Sequence, residues 1–201
     1  MKKRIGLLVV FALVAALSFA QFELSAGGGL MFDWSLNNGA KANILGTDYY
    51  MGYDFMTFGG FIFFDATYAE AALSFGSTSA DLAAGEIGDL WVIDSWNALS
   101  FNISLLGKYP FKLGSSFKLF PLVGFGYNMI FKDSPDFNQF GLLFGAGVDY
   151  NFQRWEHLYI RAEALFSLRF AGKAQKDTSY AGASTTLGMG PVIKVGVGYK
   201  F

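Results

Sequence analysis

The stretch VIKVGVGYKF, Val192 to Phe201, alternates without a break. Ile193, Val195, Val197, Tyr199 and Phe201 take every second place, and Lys194, Gly196, Gly198 and Lys200 lie between them. Successive side chains of a β-strand point to opposite faces, so this strand has one wholly apolar face and one of glycine and lysine. Two folds use such a strand. In a soluble sheet the apolar face turns into a core. In a membrane barrel it turns outward to lipid, and the glycine/lysine face lines the interior.

Composition bears on that choice. The chain has 201 residues, enough for one domain, with 18% aromatics and 25 glycines. Charged residues make up 15%, against about a quarter in ordinary soluble domains. Cysteine is absent, which excludes a disulfide framework, a cysteine metal site and a lipid-anchored cysteine. Residues 1–20 begin with Lys2, Lys3 and Arg4, continue through an apolar run from Ile5, and end Ser18-Phe19-Ala20. This pattern predicts a secretory signal cleaved after Ala20. Of the 15 basic residues three lie in that leader, so the remainder carries 12 against 16 acidic residues and has no basic footprint for nucleic acid. No later run reaches the ~18 apolar residues of a membrane helix. An exported chain of this kind is either soluble or crosses a membrane as a closed barrel.

The period of two recurs from residue 21 onward. Phe22, Leu24, Leu30, Phe32 and Trp34 alternate with Glu23, Ser25, Gly29 and Asp33. Comparable runs cover 68–75, 99–109, 119–131, 140–152, 158–170 and 187–201. Residues 53–64 (YDFMTFGGFIFF) are apolar on both faces, and their inward side is left open. The count is eight strands. Short connections are expected at 65–66, 112–117 and 153–157, and longer ones at 35–52, 76–97, 132–138 and 171–186. Short turns at one rim and long loops at the other mark an outer-membrane barrel. The expectation is an all-β, eight-stranded antiparallel up-and-down transmembrane β-barrel spanning 21–201, with periplasmic turns and termini and extracellular long loops. Residues 76–97 and 171–186 are expected outside.

The inverted alternative is a soluble lipocalin-like cup. Its solvated outer face would carry several charges per strand, whereas here that face is largely glycine. Glycine is a poor strand residue, but it makes room in a lumen that side chains must fill. The apolar face carries rings near strand ends, among them Trp34, Tyr109, Phe131, Phe140, Tyr150, Phe152, Phe170, Tyr199 and Phe201, as a bilayer interface favours.

From Gln21 to Phe201 the chain resembles the small outer-membrane barrels of the OmpA, OmpX and OmpW kind. In that family the last strand ends in phenylalanine, with apolar residues at alternate places before it. The matching positions here are Phe201, Tyr199, Val197, Val195 and Ile193. The resemblance implies that these residues are read by the barrel insertion machinery, in the outer membrane of a diderm bacterium. Residues 63–70 (FFDATYAE) also resemble a hairpin of OmpW-like and spirochaetal outer-membrane proteins.

Catalytic signals are weak. His157 is the only histidine and falls in a predicted turn, so a nucleophilic triad or a zinc site lacks parts. The glycine pairs at 124, 145 and 188 are mid-strand, with no helix to receive a phosphate. Asp81, Glu86, Asp89 and Asp94 lack calcium-loop spacing. Asn102-Ile103-Ser104 matches a glycosylation sequon but lies within a strand. No cofactor or metal is expected, and the chain is read as a non-enzyme.

More informative is a balanced set of inward charges near the short-turn end. Glu23, Glu70, Asp149 and Glu163 face Lys108, Lys118, Arg161 and Lys200. Opposite charges in a narrow, poorly solvated space are expected to pair, with Glu70 meeting Arg161, and to plug the lumen. The leading expectation is a structural or surface-interaction barrel. It would be a monomer in outer-membrane lipid, its loops free to meet an extracellular ligand or host surface. The alternative is a small channel for ions or small apolar solutes, which the OmpW resemblance implies.

Overall fold

Alternation becomes architecture in the computed structural model, which describes residues 23–44, 47–86, 89–132, 137–170, 184–185 and 187–201. The strands are β1 (Ser25–Ile44), β2 (Thr47–Ala66), β3 (Ala69–Glu86), β4 (Asp89–Lys108), β5 (Phe111–Leu113), β6 (Phe117–Phe131), β7 (Gln139–Asn151), β8 (Leu158–Phe170), β9 (Ser184–Thr185) and β10 (Gly188–Lys200). Eight of them join antiparallel in the order β10-β8-β7-β6-β4-β3-β2-β1, and β1 pairs back onto β10 to close the cylinder. Among the described residues the short β5 pairs with β6, and β9 with β1.

Closure places the first and last strands in register from Ser25 opposite Lys200 to Asp33 opposite Val192. The face assignments expected for the alternating strands are those observed. Along β8, Tyr159, Arg161, Glu163, Leu165, Ser167 and Arg169 are buried inside, while Ile160, Phe166 and Phe170 are exposed outside. On β10 the exposed row is Ile193, Val195, Val197 and Tyr199, followed by Phe201. Most rim rings named above stand exposed, Phe152 is half-buried, and Phe22 lies outside the described residues.

β2 now has an inward face. Phe55, Thr57, Phe61, Phe63 and Asp65 are buried, while Met56, Phe58, Ile62 and Phe64 are exposed. Both faces of this strand are apolar because the barrel interior is itself packed. Phe61, Phe63, Phe120, Leu106, Leu122 and Tyr159 belong to one buried cluster, and Phe55, Ala80 and Ile130 form a second with Tyr53, Trp96 and Phe137.

The connections differ from expectation in one respect. Residues 35–52 and 76–97, expected as loops, are mostly strand: β1 runs to Ile44, β2 begins at Thr47, β3 runs to Glu86 and β4 begins at Asp89. β1 to β4 therefore have 18 to 20 residues, against 13 to 15 in β6, β7, β8 and β10. Those extra residues carry half of the wall about 20 Å further along the strand direction. Their composition hid this, because Asn38, Gly39 and Lys41 in β1 resemble a loop and become strand through pairing with β2. Most of 171–186 and part of 132–138 lie outside the described residues. At the opposite rim, 112–117 closes as a β5–β6 hairpin on Gly114, whose φ of 74° suits glycine. Asp65 and Ala66 belong to β2, with Thr67 and Tyr68 making the turn.

Glycines on the inner wall sit under the largest rings. A Cβ on Gly147 would strike the Phe120 ring, and one on Gly198 the Tyr159 ring. Gly147→Ala is therefore expected to cost about 1–3 kcal/mol, as overpacked interiors do. Gly107→Ala, whose Cβ would meet only the Val123 carbonyl oxygen at 3.6 Å, should be near neutral. Urea unfolding in lipid vesicles measures both, and equal stabilities would mean the rings move aside freely.

Candidate functional site

β8 carries a charge where an interior should hold none. Arg161 has 0% exposure. Burying an unpaired guanidinium is prohibitive, so partners must come from the surrounding wall. Asp149, its cross-strand neighbour on β7, grips it side-on: Nε donates to Oδ1 at 2.7 Å and Nη2 to Oδ2 at 2.8 Å. From the far wall, Asp65 and Glu70 sit opposite each other on β2 and β3. Nη2 donates to Asp65 Oδ2 at 2.8 Å and Nη1 to Glu70 Oε2 at 2.7 Å. Two adjacent carboxylates would repel; here the guanidinium fork separates and satisfies them. Three rings surround it, with Cζ 4.6, 4.9 and 5.3 Å from the centroids of Phe63, Phe120 and Tyr159.

The neighbouring layer contains Glu163 and Lys194, cross-strand partners on β8 and β10. Lys194 Nζ lies 3.3 Å from Glu163 Oε2 and 3.7 Å from Glu70 Oε1, and Glu163 Oε1 lies 3.9 Å from Arg161 Nη1. Lys108 pairs with Asp65 and stands over the Phe120 ring at 4.8 Å. Ser25 Oγ donates to Asp65 Oδ2 at 3.2 Å and shares a 2.8 Å hydrogen bond with the Tyr159 hydroxyl. Further along the barrel Arg169 pairs with Asp33.

The eight charges singled out in the sequence thus separate into groups. Glu70, Asp149, Arg161 and Glu163 meet in the centre. Glu23 and Lys118 pair at the short-turn mouth. Lys108 engages Asp65, and Lys200 donates to the amide oxygen of Asn151 rather than to an acid. Sequence reading missed Asp65, Lys194, Asp33 and Arg169. Asp65 was placed in a turn. The other three already stood on inward positions of their strands, so parity alone would have found them. The rings of Phe63 and Phe120 were missed because an interior read as polar was not expected to hold aromatics.

His157 sits at the rim, its Nδ1 3.0 Å from the Lys200 carbonyl oxygen and its ring stacked 5.4 Å from Tyr199. Among the described residues no three His, Cys, Asp or Glu side chains form a group able to hold a metal ion. The short-turn mouth opens into a cavity of about 520 Å³, lined by Glu23, Lys112, Lys118, Lys200, Asp149 and Tyr159 among others.

A closed antiparallel barrel with an apolar exterior and a charged interior is a transmembrane β-barrel. Residues 6–201 match the outer membrane protein beta-barrel domain, and the chain belongs to that family. Among solved structures it is similar to the outer membrane protein OprG from Pseudomonas aeruginosa, at 15% identity over 89% of this chain and 95% of that one, with a TM-score of 0.50. The N-terminal β-barrel domain of Pseudomonas aeruginosa OprF is matched at 16% identity over 89% and 97%, with a TM-score of 0.43. No curated protein sequence matches. The protein is an outer-membrane barrel of the small eight-stranded kind.

The Arg161 contacts make a double-mutant cycle decisive. Arg161→Met leaves Asp149 without its ion pair, takes one partner from each of Asp65 and Glu70, and should cost ~3–5 kcal/mol. Glu70→Gln should cost less, because Asp149 and Asp65 still hold the guanidinium. The double variant should lose less than the sum, measured by urea unfolding in vesicles. Strict additivity would mean that the two side chains are not coupled.

Proposed function

We propose that this outer-membrane barrel is a structural and surface-presenting protein rather than an enzyme or an open pore. Its lumen is read as plugged by the Arg161 network, and its tall β1–β4 wall as the presented surface. The observation that carries the reading is Arg161, fully buried across the lumen toward the short-turn end, among four carboxylates and three rings. A passage for ions along the axis would wet this group. Phe61, Phe55 and Ile130, also buried, add apolar layers above it. Planar-bilayer recording tests the reading. The native barrel should show no steady conductance, and Arg161→Met together with Phe120→Ala should open one. Steady conductance through the native barrel would favour the small-channel alternative.

In the same reading residues 1–20 are a cleaved leader, the short turns and both termini of the mature chain face the periplasm, and the protein acts as a monomer. Single cysteines in this cysteine-free chain test the orientation. Cysteine at Val92, exposed in the tall wall, should react with an impermeant reagent on intact cells, and cysteine at Ser115 should not. The reverse pattern would invert the barrel.

The resemblance of the terminal strand further suggests that Phe201 is read by the insertion machinery. Phe201 is 78% exposed and contributes one rim hydrogen bond, from its N–H to the Leu24 carbonyl oxygen at 3.0 Å. Phe201→Ala should therefore lower the outer-membrane yield well below that of Phe170→Ala, while both fold equally in detergent. Equal yields in cells would remove any special role for the terminal ring.

A further inference from the structure

Lys112 and Lys118 are direct cross-strand partners in the β5–β6 hairpin. Cross-strand partners point to the same face, and like charges in that relation destabilise a hairpin. This hairpin consists of a three-residue strand closed on Gly114 at φ 74°, so nothing in the barrel wall requires it to carry two lysines. A third lysine, Lys200, stands at the end of β10 beside the same space. The 520 Å³ cavity and a second of about 410 Å³ both have Glu23, Lys112, Lys118 and Lys200 in their walls. Three lysines therefore share this space with two carboxylates, Glu23, which pairs with Lys118, and Glu156 in the wall of the second cavity.

Glu23 behaves as a resident anion there. Burial works against its charged form. The hydrogen bond from Lys118 and the charges of Lys118, Lys200 and Lys112 outweigh that and hold its pKa below the ordinary carboxylate value. Two carboxylates, Glu23 and Glu156, do not neutralise three lysines. The other acids lining the cavity are committed deeper in: Asp149 to Arg161, and Asp65 to Arg161 and Lys108. Behind the mouth Asp65, Glu70, Asp149 and Glu163 are met by Arg161, Lys108 and Lys194, so the unmatched positive charge lies with the lysines of the mouth. An anion drawn into the mouth meets a paired and buried network beyond it and stops.

We propose that the short-turn mouth is a binding site for a small, multiply charged anion, a phosphate ester or dicarboxylate, held by Lys112, Lys118 and Lys200. The anion sits between the two hairpin lysines and relieves their repulsion. Its source is either a free solute or the headgroup of an anionic lipid at the adjoining membrane surface.

Calorimetric titration of inorganic pyrophosphate into the full-length barrel, isolated in zwitterionic detergent at fixed ionic strength, tests the site. Saturable one-site binding is expected. Lys112→Gln and Lys118→Gln should each weaken it about tenfold, the equivalent of one charge-assisted hydrogen bond. Glu23→Gln should tighten it by removing the competitor, and Lys132→Gln, at the far end of β6, should leave it unchanged. Repeating the titration in phosphatidylcholine vesicles with and without phosphatidylglycerol separates the sources: weakening by the anionic lipid identifies a headgroup, and no change identifies a solute. Without anion, Lys112→Gln should unfold at higher urea than the native chain, because a like-charge pair has been relieved. Absence of saturable binding, equal affinity in the lysine variants while they remain folded, or a less stable Lys112→Gln would each overturn the proposal.

Discussion

A guanidinium sealed from water fixes the geometry around it. Arg161 needs Asp149 beside it and Asp65 and Glu70 across from it, which ties β7 and β8 to β2 and β3 on the opposite wall. Strand register is a discrete choice with period two, so a slip of one residue in β8 would turn Arg161, Glu163 and Arg169 out toward lipid. Charges on the lipid face of a barrel cost about 2–4 kcal/mol each near the bilayer midplane for Arg or Lys. The network also resists slips of two, because Asp149 and the Asp65–Glu70 pair would no longer lie at Arg161's level. Packing follows the same constraint. The rings of Phe120 and Tyr159 flank the guanidinium only because Gly147 and Gly198 leave the space they fill.

That dependence explains what could be read from the chain and what could not. Strand number, the lipid-facing rows and the inward parity of Arg161 were legible because each follows from local alternation. The run at 53–64 was not, since both faces of β2 are apolar and only the partner strands reveal which rings face Arg161. Asp65 was hidden by its place beside a turn; it joins the site because Arg161 and Lys108, distant in sequence, arrive there. Lys112 was read as part of a connection for the same reason. Its meaning comes from its register with Lys118, which sequence spacing alone does not reveal.

The low charge content acquires a structural meaning too. In a soluble domain, charge is spread over the surface. Here Asp33, Asp65, Glu70, Asp149, Glu163, Arg161, Arg169 and Lys194 are all buried on the inside. The exterior meets lipid and carries rings instead: Phe140 stacks on Phe170, Phe144 lies 5.5 Å from Phe166, and Tyr199 and Phe201 meet edge to face at the rim. Inverting the usual placement of polar and apolar groups is what a hydrocarbon solvent demands, and it is why charge balance had to be achieved inside.

Beyond the membrane band the logic changes, because water returns and the cylinder is no longer complete. Among the described residues, β4 pairs with β6 only from Leu99 to Lys108, so its stretch from Asp89 to Ala98 rises above the shorter half of the barrel. An exposed edge of this length invites pairing with other chains. Three features blunt it. The register of β3 and β4 shifts between Leu82 and Ala83, which makes a bulge at Ile93 and bends the strand. Asp94 puts charge along it, held against the Ser95 N–H at 2.9 Å, with Asp81 accepting from the Ser95 hydroxyl at 2.8 Å. Lower down, Trp96 turns inward against Phe137 and beneath the Lys132 ammonium, so the base of the edge is closed by side chains. On the other side of the tall wall β9 covers β1 at Ala40 and Lys41. The exposed Val92 and Ile93 therefore stand on an edge that is guarded against indiscriminate strand addition. That is the condition under which a tall, partly apolar wall can be displayed without the molecules joining one another.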